Sequence, residues 1–114
     1  MTDLVRKTEK YVRLFDAKDL DGVASMMSET ITLSDPAVHG LSSKSAVVEY
    51  VKNLFDDANG TFSFQANRVL LSGHYTVLEF TLVIGSEKLQ GVDVIEWKSG
   101  QIDGITAYLH PSLI

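Results

Sequence analysis

Apolar residues recur at two spacings along this chain, and the change of spacing divides it. Between Asp3 and Lys18, Leu4, Thr8, Tyr11 and Phe15 fall on one stripe while Arg6, Lys10 and Arg13 lie elsewhere, which is the 3.6-residue period of an amphipathic helix. Asp19 is positioned to cap a short second helix carrying Val23, Met26 and Met27. Ile31-Thr32-Leu33 predicts a strand, and Asp35-Pro36 ends it in a turn. After Gly40, Ser42 and Ser43 can cap a third helix running to about Asp57. Its stripe is Val47, Tyr50, Val51 and Leu54, and Asn59-Gly60 stops it.

Beyond Gly60 the period falls to two. Phe62, Phe64 and Ala66 alternate with polar residues, then the phase slips to Val69 and Leu71, which predicts a bulge. Ser72-Gly73, Gly85-Ser86 and Ser99-Gly100 are turns. Between them run strands carrying Leu78, Phe80, Leu82 and Ile84, and then Leu89, Gly91, Asp93, Ile95 and Trp97, before a last strand from Ile102 to His110. Helices followed by an antiparallel meander predict an α+β layout, with the helices packed on one face of a bent sheet.

Composition adds exclusions. The 114 residues suffice for one core and not two, so a single domain over 1–114 is expected. Lys and Arg never cluster, and the net charge is −5, so a nucleic-acid footprint is absent. Cys is missing, which removes disulfides, thiolate ligands and a Cys nucleophile. The three His are isolated, without metal-ligand spacing, so no metal and no cofactor is expected. The charged N-terminus does not resemble a signal peptide and no apolar run reaches membrane-spanning length, so a cytoplasmic location without membrane contact is expected.

One position breaks the strand pattern. Asp93 shares a face with Leu89, Gly91, Ile95 and Trp97, whereas the other face carries Val92 and Val94. Either face can be the inner one. If Asp93 points inward, desolvation disfavours its charged form and makes it a proton donor near neutral pH.

The stretch from Tyr11 to Val23, Tyr-Val-Arg-Leu-Phe-Asp-Ala-Lys-Asp-Leu-Asp-Gly-Val, with Asp35-Pro36 after it, resembles the start of bacterial ketosteroid isomerases, members of the SnoaL-like, nuclear-transport-factor-like superfamily. Gly100-Gln101-Ile102 and Ala107-Tyr108 resemble the superfamily's end. The resemblance implies a cystatin-like curved antiparallel or mixed sheet, an α+β cone wrapped around three N-terminal helices with an apolar pocket inside. It also implies catalytic roles for Tyr11, Asp35 and Asp93. In that isomerase one aspartate abstracts a proton next to a ketone, and a tyrosine and a protonated aspartate hydrogen-bond the enolate oxygen. Asp35 corresponds to the base, and Tyr11 and Asp93 to the oxyanion donors. Phe15, Val51, Phe55, Ile95, Trp97 and Ala107 are expected to contact an apolar cyclic substrate.

The chain departs from the isomerase pattern at further tyrosines of the pocket. The best-matching position on the third helix is Val51, with Tyr50 adjacent, and the Pro36–Gly40 loop is shorter. Related chemistries are weighed by residue type. Epoxide hydrolysis of the limonene-epoxide-hydrolase kind needs an arginine among its acids, and none stands on Asp93's strand. Scytalone-dehydratase-like chemistry needs pocket histidines, whereas His39, His74 and His110 sit at a loop, a turn and a strand end. A polyketide-cyclase-like acid catalyst and a non-catalytic apolar-ligand module remain alternatives. A homodimer through the second sheet face, carrying Val77, Val83, Val92 and Val94, is expected with either.

Overall fold

The elements follow the change of spacing. The computed structural model describes residues 3–58 and 60–111. Helices α1 (Asp3–Asp16) and α2 (Leu20–Ser25) lead into β1 (Met27–Ser34), a two-residue β2 (Leu41–Ser42) and α3 (Lys44–Asp57). The meander β3 (Phe62–Ser72), β4 (Tyr75–Ile84), β5 (Glu87–Lys98) and β6 (Gln101–Pro111) completes the fold. Asp19 caps α2 by accepting from the Gly22 amide, and Ser43 caps α3 by accepting from Ala46. Asn59, expected to end α3 together with Gly60, lies outside the described residues. Two expectations shift. Met27 opens β1 rather than closing α2, and β2 forms where a loop was expected, through pairing of Leu41 and Ser42 with Leu33 and Thr32.

The sheet is mixed, in the order β2-β1-β6-β5-β4-β3. Only β1 and β6 run parallel, a pairing that brings opposite ends of the chain together. The expected bulge falls between Ala66 and Arg68 on β3, bending the sheet over α1. Inside the bend, α1 contributes Thr8, Tyr11, Val12 and Phe15 and α3 contributes Val47, Val51 and Phe55. Phe15 packs 4.9 Å from Phe55 and 4.8 Å from Phe64, ring centre to ring centre, and Phe64 lies 4.8 Å from Phe80. Gly91 stands opposite Phe80, where a β-carbon would clash first with the Tyr108 carbonyl and would approach the Phe80 ring and the Leu109 side chain to 2.8 Å, so its missing side chain lets β6 and that ring come close.

Lys18 fastens the two long helices together, donating to the carbonyls of Ala58 at 3.0 Å and Phe55 at 3.4 Å at the C-terminal end of α3. The last parallel pair is Ser34 with Thr106. Beyond it β1 turns away at Asp35-Pro36 to form β2, while β6 continues, so a gap opens between the 35–40 loop and β6.

Candidate active site

Alternation settles the orientation of β5. Gly91, Asp93, Ile95 and Trp97 are buried while Val92, Val94 and Glu96 are only half so, and Asp93 retains 5% of its exposure. Its carboxyl group therefore faces inward among apolar side chains. It lines a cavity of about 80 Å³ together with Tyr11, Asp35, Phe80 and Ala107, on a wall otherwise apolar apart from Tyr50.

Strand register explains how the two carboxyl groups meet. Asp93 on β5 pairs with Ala107 on β6, and Asp35 follows Ser34, whose partner is Thr106. Ala107 therefore stands between them, and their backbones are separated by two strand spacings, roughly 10 Å. A methyl group at that position leaves the space between the acids open.

The two acids differ in environment. Burial, and secondarily the charge of Asp35, pushes the Asp93 carboxyl up to about 7. Asp35 is half-buried and sits at the strand end. Its Oδ1 accepts from the amides of Ala37 at 2.7 Å and Val38 at 2.9 Å, and its Oδ2 accepts from the Tyr50 hydroxyl at 2.7 Å. A carboxylate has about four lone-pair sites. Three are occupied here, and the one left belongs to Oδ2.

Tyr11 is buried, and burial, with a further contribution from the Asp93 charge, holds its phenol well above its ordinary range, so it is a donor. Neither the Tyr11 hydroxyl nor the Asp93 carboxyl has a protein hydrogen-bond partner among the described residues, yet neither is sealed from the cavity space. Both groups present their hydrogen-bonding capacity to whatever enters. They are not bonded to each other.

Of the residues expected to touch a substrate, Phe15, Val51 and Ala107 line the cavity. Phe55, Ile95 and Trp97 do not, and the reason is position along the cone rather than side-chain direction. Phe55 is covered by Phe15 and Phe62. Ile95 is sealed in the core, and the Trp97 indole donates to Thr76 Oγ1 at 2.9 Å, deeper under α1. Tyr50 is a cavity residue to which the sequence reading gave no role. Its position on the α3 stripe marks it as inward, but its bond is to Asp35, and burial followed by that bond raises its phenol to about 12.

The groups required by other chemistries lie elsewhere. Arg6 and Arg13 are exposed, Arg68 pairs with Glu79 at 2.8 Å, and none lines the cavity. His74 meets Glu96 at 3.1 Å on the surface, and His39 lies outside the cavity. Among the described residues no cluster of His, Asp or Glu could hold a metal ion, and no helix is long and apolar enough to cross a membrane.

A SnoaL-like domain model matches residues 8–112. Among curated proteins none matches in sequence. Solved structures share the fold. A candidate ketosteroid isomerase from Kribbella flavida superposes with a TM-score of 0.80 at 17% identity, covering 94% of this chain and 77% of the other. An epoxide hydrolase of the LEH-like kind from M. tuberculosis gives 0.76 at 18%, covering 96% and 84%. An uncharacterised cystatin-fold protein from Novosphingobium aromaticivorans gives 0.82 at 13%, covering 94% and 97%. At such identities the likeness extends to the fold alone.

Proposed function

The chain belongs to the SnoaL-like family, and from that premise we propose that it catalyses proton transfer next to a carbonyl group, as an isomerase of the ketosteroid isomerase type. The observation that carries this reading is a pair of carboxyl groups in contrasting environments facing one small apolar cavity, with an unpaired phenol beside the neutral one. Fold alone would not support it, since this architecture serves many chemistries.

In the mechanism, the free lone pair on Asp35 Oδ2 takes the proton from the carbon next to the carbonyl. The electron pair of that C–H bond becomes the C=C bond of the enolate, and charge moves to oxygen. Tyr11 and protonated Asp93 each donate a hydrogen bond to that oxygen, and a low-dielectric wall makes both contacts count for more than in water. Asp35 then returns the proton to carbon. The difference between the acids supports these roles, because a donor must hold its proton and a base must offer a free lone pair. Epoxide hydrolysis is disfavoured by the lack of a cavity arginine among the described residues.

The test is exchange of α-protons of small ketones into deuterated water, and conjugation of β,γ-unsaturated ketones followed by ultraviolet absorbance. Asp35→Asn keeps the shape and removes the base, so turnover should fall by about 10²–10⁴-fold. Tyr11→Phe should cost about 10²–10³-fold. Asp93→Asn should cost less than Asp93→Ala, because an amide still donates. A wild-type protein that binds ketones without exchanging their protons would be a binding module instead.

A further inference from the structure

A second concavity adjoins the cavity, and the two share Asp35, Ala107 and Leu109 in their walls. It is a groove of about 500 Å³ in the gap where β1 leaves β6, flanked by Pro36 and His39 on one side and Thr106 and Tyr108 on the other. Ser34 completes the rim. Tyr108 is 62% exposed, the most open of the large hydrophobic side chains among the described residues. The groove therefore abuts the inner cavity at Asp35, in the position of a portal to it.

The volumes differ in what they admit. An apolar cavity of roughly 150 Å³ holds benzene, and the inner cavity, at about 80 Å³, is little more than half that size. It suits an acyclic carbonyl with two or three neighbouring carbons better than a six-membered ring. The portal is large enough for a ring. Its wall mixes an aromatic face with the hydroxyls of Ser34 and Thr106 and the His39 imidazole, so a flat body with a polar substituent suits it.

Resting on the carbonyl-binding part of the reading above, we infer that the substrate is elongated rather than polycyclic: a small acyclic ketone end reaches the Tyr11–Asp93 floor, and a bulkier, ring-sized end stays in the portal against Tyr108. The carbon that loses its proton then sits at the junction, beside Asp35 and over Ala107. A tetracyclic ketone, the substrate class of the family resemblance, suits this division least, because its carbonyl end is itself a ring.

The experiment titrates isotopically labelled full-length protein with butan-2-one, 4-phenylbutan-2-one and a 3-oxo-Δ5 steroid, following backbone amides by NMR. The phenyl ketone should bind at least about 10-fold more tightly than butan-2-one, since burying a ring is worth at least the roughly 1.4 kcal/mol that a tenfold change requires. It should shift the amides of Tyr11 and Asp93 and those of His39 and Tyr108 in one titration. Tyr108→Ser should weaken the phenyl ketone about 5-fold and butan-2-one by a smaller factor, the size of an aromatic contact. Equal affinity for the two small ketones, shifts confined to one end, tightest binding by the steroid, or no binding of any ketone would each overturn the inference. α-Proton exchange is read in the same samples. Binding at both ends without exchange sustains the elongated-ligand inference and removes the proton-transfer reading.

Discussion

Helix α1 brings polar side chains to the sheet at two places, and the two are built on opposite terms. Toward the N-terminus of α1, Thr8 hydrogen-bonds both the Leu4 carbonyl and the Thr76 hydroxyl at 2.8 Å, and Thr76 accepts from the Trp97 indole. Every member is buried and satisfied. One turn along the helix, Tyr11 and Asp93 are equally buried, and neither bonds to a protein group among the described residues. Thr8 and Tyr11 are neighbours on one stripe, and Asp93 and Trp97 share one face of a strand. The same scaffold therefore carries a closed polar network and an open one. The closed one stabilises the fold, because its groups exchange water for each other. The open one costs stability, and such a cost is expected where burial serves a ligand.

The largest effect that would sharpen this contrast concerns Asp93. In the unfolded chain it ionises from about pH 4, but in the fold only near 7. Below pH 4 both states are neutral and the fold is unpenalised. Between pH 4 and 7 the unfolded chain releases a proton that the folded chain keeps, so stability declines as pH rises. The difference of about three units corresponds to on the order of 4 kcal/mol by pH 8. Asp93→Asn should therefore unfold in urea like the wild type at pH 4 and be more stable at pH 8. Equal midpoints at both pH values would mean that Asp93 is not held neutral.

A smaller loss should follow from breaking the closed network. Thr76→Val leaves the Trp97 N–H and the Thr8 hydroxyl short of a partner, a cost of about 2–3 kcal/mol in chemical denaturation. Ketone affinity should change little, since neither residue lines the cavity. If Thr76→Val instead matched Asp93→Asn in its effect on ligand, the two clusters would be one system.

The pH dependence of turnover should show the same asymmetry. Activity should fall as pH rises through about 7, where Asp93 loses the proton it donates. That falling limb should vanish in Asp93→Asn, whose amide does not titrate. The smallest effect is assigned to Tyr50→Phe, which removes one of three donors orienting Asp35. It should lower kcat by about 3–10-fold with KM nearly unchanged, since two backbone donors still orient the carboxylate.

Much of this was legible in local sequence. Asp19 and Ser43 marked the starts of α2 and α3, and the slip of phase after Ala66 marked the bulge, because caps and alternation are set by nearest neighbours. The orientation of Asp93 was not, since both faces of its strand are apolar and only packing under α1 and α3 chooses between them. Nor was the exclusion of Ile95 and Trp97, which share Asp93's face. How far a side chain lies down the cone depends on where α1 crosses the sheet, and periodicity carries no information about that. The Tyr50 bond to Asp35 was hidden for the same reason. It joins a helix to a loop, and the family pattern pointed to the neighbouring Val51.

The parallel pairing of β1 with β6 also has a consequence in time. Asp35 takes its place beside Ala107 only once a strand from the first third of the chain lies against the last one. Hairpins such as β3–β4 and β4–β5 close short loops and form early, whereas joining β1 to β6 pays the entropy of the whole intervening chain. On this account the helices and the meander can be native-like while the two acids are still far apart. Refolding followed by Trp97 fluorescence, which senses the meander packing against α1, should then run ahead of the recovery of ketone binding.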